Sequence, residues 1–353
     1  MTKQVEFLDL MERAEQQRSA RRNFIRLCGG AAAMTGGLAL LSGCDDDDDN
    51  DPAPTPSPTP ISSAAAQDVA VLSFALQLEY LEGNYYSYAT TGSGIAAGLQ
   101  TGVGTPGAVI PGSGAGAARA VNFTDQVVAQ FAREIAADEI AHITFLRSAL
   151  GSAAPAQPLI NLSGSASVTA AGATVPGAFT AAARAAGVIG PNDIFDPFLN
   201  DENFLIGSYL LTDVGVSAYR GSARLISNKT FLEAAAGILS TEAYHDGAIR
   251  SELWRRGLTI GGNVPTLVNN LNIYQRIQRI SDARDGLDGS TDTDQGIGTA
   301  TEANLVPTDS GGLVLGRTAP QVLNVVFQNR AAVTSGGFFP AGINGTITTS
   351  GAN

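Results

Sequence analysis

Residues 134–150 read Glu-Ile-Ala-Ala-Asp-Glu-Ile-Ala-His-Ile-Thr-Phe-Leu-Arg-Ser-Ala-Leu, and residues 237–253 read Gly-Ile-Leu-Ser-Thr-Glu-Ala-Tyr-His-Asp-Gly-Ala-Ile-Arg-Ser-Glu-Leu. At a fixed offset of 103, Glu139, His142, Arg147, Ser148 and Leu150 match Glu242, His245, Arg250, Ser251 and Leu253. Such self-similarity implies a duplicated helical hairpin related by an approximate two-fold axis, which sets the two Glu-x-x-His motifs face to face. The chain has 2 histidines, and each follows a glutamate by three positions. With twelve glutamates in 353 residues, chance gives roughly one in thirty for each and about one in a thousand for both. Residues three apart share a helix face. That face also carries Val128, Phe131, Ile135 and Leu146, so the ionisable groups point into the core. An unpaired buried carboxylate costs several kcal/mol. A cation offsets that cost, and a histidine–carboxylate set suits iron or manganese.

Outward from these motifs, helical periodicity marks four segments, at about Gln67–Ala89, Thr124–Leu150, Asp201–Ile226 and Thr230–Gly257. The last opens on Thr230-Phe-Leu-Glu233, a capping-box pattern, and closes on Arg255 and Arg256. Gly/Ala-rich loops fill about 91–122, and a long crossover spans 152–199. Two hairpins joined by one long connection make an all-α four-helix bundle. One further carboxylate is expected from each of the first and third helices. Asp213 is the only carboxylate in Phe204–Ile226, on a stripe with Ile206, Tyr209 and Val216. The first helix offers Glu79 and Glu82, one turn apart; Glu82 with Tyr88 and Asp213 with Tyr219 are both pairs six apart. Arg147 and Arg250 would cap their helix ends or pair with acidic neighbours. Glu134 and Asp138 are expected on a solvated or inter-helix face.

Leu76-Gln-Leu-Glu-Tyr-Leu-Glu82 with Tyr85-Tyr86, Asp213-Val-Gly-Val-Ser-Ala-Tyr-Arg-Gly221, Ala234-Ala-Ala-Gly-Ile-Leu239 and Glu242-Ala-Tyr-His245 resemble the ferritin-like domain family that includes plant and bacterial desiccation-related proteins. So do Arg317-Thr-Ala-Pro-Gln-Val-Leu-Asn-Val-Val-Phe327, Gly336-Gly-Phe-Phe-Pro340 and Asn344-Gly345. The resemblance implies a ferritin-like bundle over about 66–346 but lends no settled activity. A tyrosine two turns after the first-helix glutamate recurs in such sites. Tyr86 stands seven residues after Glu79, which favours Glu79 as the ligand and leaves Glu82 and Tyr86 as additional ligands or supporting groups. Asp213 departs from the glutamate most ferritins carry there, so a mononuclear site stays open. The expected metal set is Glu79, Glu139, His142, Asp213, Glu242 and His245.

The amino terminus reads as an address. Arg21-Arg22-Asn23-Phe24-Ile25 resembles the twin-arginine export motif, and the apolar run Leu27–Leu41 has signal-peptide length. Leu41-Ser-Gly-Cys44 resembles a lipobox, with Cys44 lipidated; Cys28 falls in the removed part. Residues 45–51 hold six aspartates and 52–60 alternate with proline, giving a stiff, solvated tether. The expected organisation is a signal at 1–43, the tether at 44–65, the bundle at 66–257 and a C-terminal extension at 258–353. In the extension, Val264–Ile280 has helical spacing, 282–312 reads as loop, Val325–Phe327 as a short strand or brief helix, and Phe338-Phe339 as turn aromatics buried on the bundle.

Net charge is −12, which argues against a nucleic-acid partner. With 2 cysteines, both within the first 44 residues, no disulfide framework holds the folded part. The expected protein is an exported, membrane-anchored lipoprotein facing the periplasm or cell exterior. It would carry a dinuclear iron or manganese centre acting on peroxide, dioxygen or ferrous iron in oxidative or desiccation stress. A manganese-catalase-like activity belongs to that reading. A metal-free structural, stress-protecting module of the envelope is the alternative, and a storage cage fits the tether and large loops poorly. A homo-oligomer stays open.

Overall fold

Alanine is the residue that costs a helix least, and Ser63-Ala-Ala-Ala already lies in α1 (Ser63–Thr91), four residues ahead of the expected start. The computed structural model describes residues 63–260 and 265–353; Arg21, Arg22, Cys28, Cys44 and most of the tether lie outside the described residues. The other long helices are α2 (Gln126–Leu150), α4 (Asp201–Ala223) and α5 (Lys229–Gly257). Each starts where a side-chain oxygen satisfies free backbone N–H groups: Asp125 caps α2, Asn200 caps α4 and Asn228 caps α5. The α5 cap corrects the expected box at Thr230, because Asn228 accepts from the amides of Thr230 and Phe231.

α1 packs most extensively on α2 and α4 on α5, and the two pairs meet along α1–α4 and α2–α5. Two carboxylates tie the ends together. Asp68 of α1 accepts from the amides of Ser227 and Asn228 in the α4–α5 turn. Asp201 of α4 accepts from the amides of Thr124 and Asp125 at the start of α2. The core between the helices holds Leu76, Tyr80, Tyr85, Ile143, Phe204, Tyr209 and Leu253.

α4 is buried on nearly every face, which explains why its apolar residues do not confine themselves to one stripe. Its outer side is covered by the C-terminal extension through α6 (Ile273–Asp288) and α7 (Ala319–Phe327). At Gly221 a Cβ would come within 1.8 Å of the Arg317 carbonyl oxygen, so only glycine lets the extension lie this close. α6 begins nine residues later than Val264. Asn269 and Asn270 take positive φ in a turn closed by Val268 and Leu271, and Asn272 with Gln275 forms the capping box that starts the helix. Val325–Phe327 is helical, and Phe338 and Phe339 are buried.

The two long loops are structured against each other. β1 (Val109–Ile110) pairs in parallel with β2 (Ile160–Asn161), so the α1–α2 loop and the crossover form one layer. The crossover also contains the hairpin β3 (Val168–Ala170) and β4 (Ala173–Val175) and the short helix α3 (Ala178–Ala185). Phe179 of α3 and Phe198 pack around Tyr85, closing one end of the bundle. No helix among the described residues is long and apolar enough to cross a membrane.

Candidate metal centre

Midway along the bundle three of the four long helices direct acidic and imidazole groups at one another. Glu79 and Glu82 come from α1, Glu139 and His142 from α2, and Glu242 and His245 from α5; all are buried. His142 Nδ1 lies 3.3 Å from Glu79 Oε2, 3.3 Å from Glu242 Oε1 and 3.9 Å from Glu139 Oε2. His245 Nδ1 lies 3.5 Å from Glu139 Oε1 and 4.0 Å from Glu242 Oε2. Glu139 and Glu242 therefore each turn one oxygen toward each histidine, and the imidazole rings stand 6.4 Å apart. The duplicated motifs face each other as the internal repeat requires. Ligand atoms of Glu79, Glu139, His142 and Glu242 all fall within 4.8 Å of one another and could hold a metal ion.

These approaches lack the alignment of hydrogen bonds. Among the described residues, Glu79 Oε2, Glu82 Oε2, both Glu139 oxygens, Glu242 Oε2, His142 Nδ1 and His245 Nδ1 are buried with no hydrogen-bond partner. Leaving one such group unsatisfied costs about 1–3 kcal/mol, more if charged, so seven in one buried cluster fit a bound cation better than an empty polar core.

Neighbours outside the cluster aim these groups inward. The Tyr219 hydroxyl on α4 donates to Glu79 Oε1, which leaves Oε2 facing His142. Asp138 Oδ2 is 3.2 Å from His245 Nε2. A carboxylate on that nitrogen fixes the ring and leaves Nδ1 free to ligate. Asp138 thus sits at the site and not merely on an inter-helix face, and residue type and spacing gave no sign of it. Tyr86 shares a 2.8 Å hydrogen bond with Thr212 of α4.

Mutual electrostatics follow. Burial pushes the Glu139 carboxyl well above the usual range, and the charges of Glu242, Glu79 and Glu82 push it further. Burial likewise raises Glu82, reinforced by Glu242 and Glu79. Burial alone would raise Glu79, but His142 and the hydrogen bond from Tyr219 outweigh it and hold it below the usual range. Burial would lower His142, yet Glu79 and Glu242 raise it well above an ordinary histidine.

Asp213 is not brought to this cluster. Its oxygens lie 2.9 Å from Arg250 Nη1 and 2.6 Å from Arg284 Nη2. Burial raises its carboxyl, but the two guanidinium groups outweigh that and lower it. The chain of charges runs on through Asp294, Arg317 and Asp288, all buried. The reciprocal bonds Tyr219–Glu79 and Tyr86–Thr212 set Thr212, one residue earlier, opposite Glu79. One residue is about 100° around a helix, enough to turn Asp213 from the centre to the extension. Arg250 meets Asp213 as an acidic partner, whereas Arg147 reaches the Tyr80 hydroxyl and the Thr101 carbonyl.

A cleft of about 690 Å³ between α2 and α5 reaches the centre from outside. Phe131, Ile135, Phe145 and Ile238 line it, and His142 and His245 are on its wall.

The bundle, its paired Glu-x-x-His helices and a match to the ferritin-like domain over residues 67–254 place this chain in the ferritin-like domain family. It is 25% identical over 289 residues to a ferritin-like catalase of Nesocodon mauritianus, covering 79% of this chain and 84% of that protein. It is 28% identical over 190 residues to a desiccation-related protein of Craterostigma plantagineum, covering 54% of each. No solved structure matches the chain significantly.

Proposed function

We propose that this protein is a metal-dependent redox protein, holding iron or manganese through Glu79, Glu139, His142, Glu242 and His245 and acting on hydrogen peroxide. The observation that carries the reading is the set of unpartnered buried oxygens and nitrogens converging from three helices. The likeness to a protein named a ferritin-like catalase supports peroxide as the substrate.

When bound, a redox-active metal centre supplies the electron exchange that converts two hydrogen peroxide molecules into one dioxygen and two waters, and the Lewis acidity that polarises them. The chain's own groups prepare for it. Tyr219 and Asp138 hold Glu79 and His245 with their free atoms inward. Protons held on the raised carboxyls and on His142 are given up as a cation enters, which couples loading to pH. The cleft, lined mainly by apolar side chains, gives a small molecule a path to the two histidines. The twin-arginine-like and lipobox-like segments around Arg21-Arg22 and Cys44 support a working place outside the cytoplasmic membrane, with the bundle tethered by a lipid.

The test is oxygen release from peroxide by protein loaded with manganese or iron, alongside its metal content. Wild type should release oxygen, and the variant carrying His142→Ala and His245→Ala should fall to the level of free metal while still folding. A wild type that takes up no metal, and decomposes peroxide no faster than that variant, would overturn the reading in favour of a structural module.

A further inference from the structure

We infer that Glu82 is the fourth carboxylate ligand of a two-metal centre, supplied by α1 across a gap that Gly215 leaves in α4. This deepens the metal reading above and rests on it.

The argument starts from the two-fold axis. Tyr219 reaches back from α4 to Glu79 on α1, and Tyr86 reaches from α1 to Thr212 on α4. Tyr86 follows Glu79 by seven residues, and Tyr219 follows Thr212 by seven. The two hydrogen bonds are rotational copies of one arrangement, so α1 and α4 correspond at an offset of 133. Glu79 then corresponds to Thr212, and Glu82 to Gly215.

On one side of the axis, His142 is matched with Glu79 and with one oxygen each of Glu139 and Glu242. On the other, His245 has the second oxygens of Glu139 and Glu242, but the α4 residue that corresponds to Glu79 is Thr212, which is no carboxylate. Taken alone, that half of the site is one carboxylate short. The shortage is made up from the opposite helix. A Cβ placed on Gly215 would lie 2.9 Å from Glu82 Oε1 and 3.6 Å from Glu242 Oε2. The missing side chain is thus the space through which Glu82 reaches the carboxylate shared by both histidines. Its other oxygen is buried and unpartnered. Charge gives the same count: Glu79, Glu82, Glu139 and Glu242 carry four negative charges when ionised, which balance two divalent cations, whereas three carboxylates would leave one excess positive charge in a buried site.

The experiment titrates apo wild type, Glu82→Gln and the pair Glu82→Gln/Thr212→Glu with manganese(II) alone. It reads bound equivalents by elemental analysis after gel filtration, and magnetic coupling by electron paramagnetic resonance. Wild type should bind two equivalents with a coupled spectrum. Glu82→Gln keeps the shape of the side chain and should bind one, with an uncoupled spectrum and the second affinity weaker by well over about a hundredfold, beyond what losing an outer-shell partner costs. Thr212→Glu puts a carboxylate where the two-fold axis calls for it and should restore the second equivalent. Two tight equivalents in Glu82→Gln would overturn the assignment. So would one equivalent in wild type, with the centre itself left standing. No metal in wild type would instead remove the centre. Failure of Thr212→Glu to restore binding, in a variant that melts like wild type, would refute the two-fold argument.

Discussion

Replacing Asp213 with alanine separates the two roles this residue could have had. In the structure it is the shared counter-charge of Arg250 and Arg284, at 2.9 and 2.6 Å, and all three groups are buried. Arg250, Arg284 and Arg317 face Asp213, Asp294 and Asp288 in equal number. Burial and the neighbouring Asp213 push the Asp246 carboxyl well above the usual range. Losing Asp213 leaves one guanidinium charge uncompensated in the interior. Breaking a buried pair from one side costs about 3–5 kcal/mol, a large part of the roughly 5–15 kcal/mol that holds a domain folded. At about 2.1 cal/mol/K per residue, roughly 290 folded residues give an unfolding entropy near 0.6 kcal/mol/K, so the melting temperature should fall by about 5–8 °C. Circular dichroism melts of apo protein measure this, with metal content determined on the same samples. The variant should still take up metal as wild type does. A melt within about 1 °C of wild type would refute the account of the charge network, and loss of metal without loss of stability would return Asp213 to the ligand set.

The pH dependence of the apo protein follows from the signs of the shifts. Glu82 and Glu139 have folded values above the ordinary 4.5, so they withdraw stability as pH climbs from there. His142, raised above 6.5, contributes fully below that value and loses its contribution as pH rises through its folded one. Glu79 is lowered and acts oppositely, its contribution falling away only as pH drops below 4.5. Apo protein should therefore melt at a lower temperature at pH 8 than at pH 5.5, and the rise in melting temperature on adding manganese should be larger at pH 8; a metal-induced rise independent of pH would count against ligation by these groups. For the amino-terminal address, fatty-acid labelling of cells should mark wild type but not Cys44→Ala, and Arg21→Lys with Arg22→Lys should hold the chain in the cytoplasm; an unlabelled wild type would exclude Cys44 as acceptor.

The bundle was legible because its signal repeats: two Glu-x-x-His helices at one offset carry both the topology and the face that points inward. Being the only carboxylate in Phe204–Ile226 does not carry Asp213 to the cluster, and matching Asp213–Tyr219 to Glu82–Tyr88 sets the helices two residues out of register. The hydrogen bonds of Tyr86 and Tyr219 instead set Thr212 in register with Glu79 and Gly215 with Glu82. A missing carboxylate leaves no mark in sequence, and neither does a glycine whose purpose is to admit a side chain from another helix. Asp138 escaped notice for a related reason: it is one of several acids on α2, and only the rotation of the His245 ring distinguishes it. The shifted start of α6 turned on local backbone at Asn269 and Asn270, whose positive φ hydrophobic spacing does not register.

The arginine–aspartate chain has a consequence for the order of manufacture. A ribosome delivers every group of the buried Glu/His cluster, from Glu79 to His245, before it delivers Arg284, Asp294 and Arg317. Until that last stretch emerges, α4 has no cover for its outer face, and Asp213 and Arg250 must share one bond in contact with water. The helices that would hold the metal are thus made early but sealed late, and the centre closes only after the carboxyl-terminal quarter of the chain has been translated. A nascent chain stalled near residue 260 would display the cluster on an unfinished bundle with a charged flank, a state that proteases and chaperones can tell apart from the finished protein.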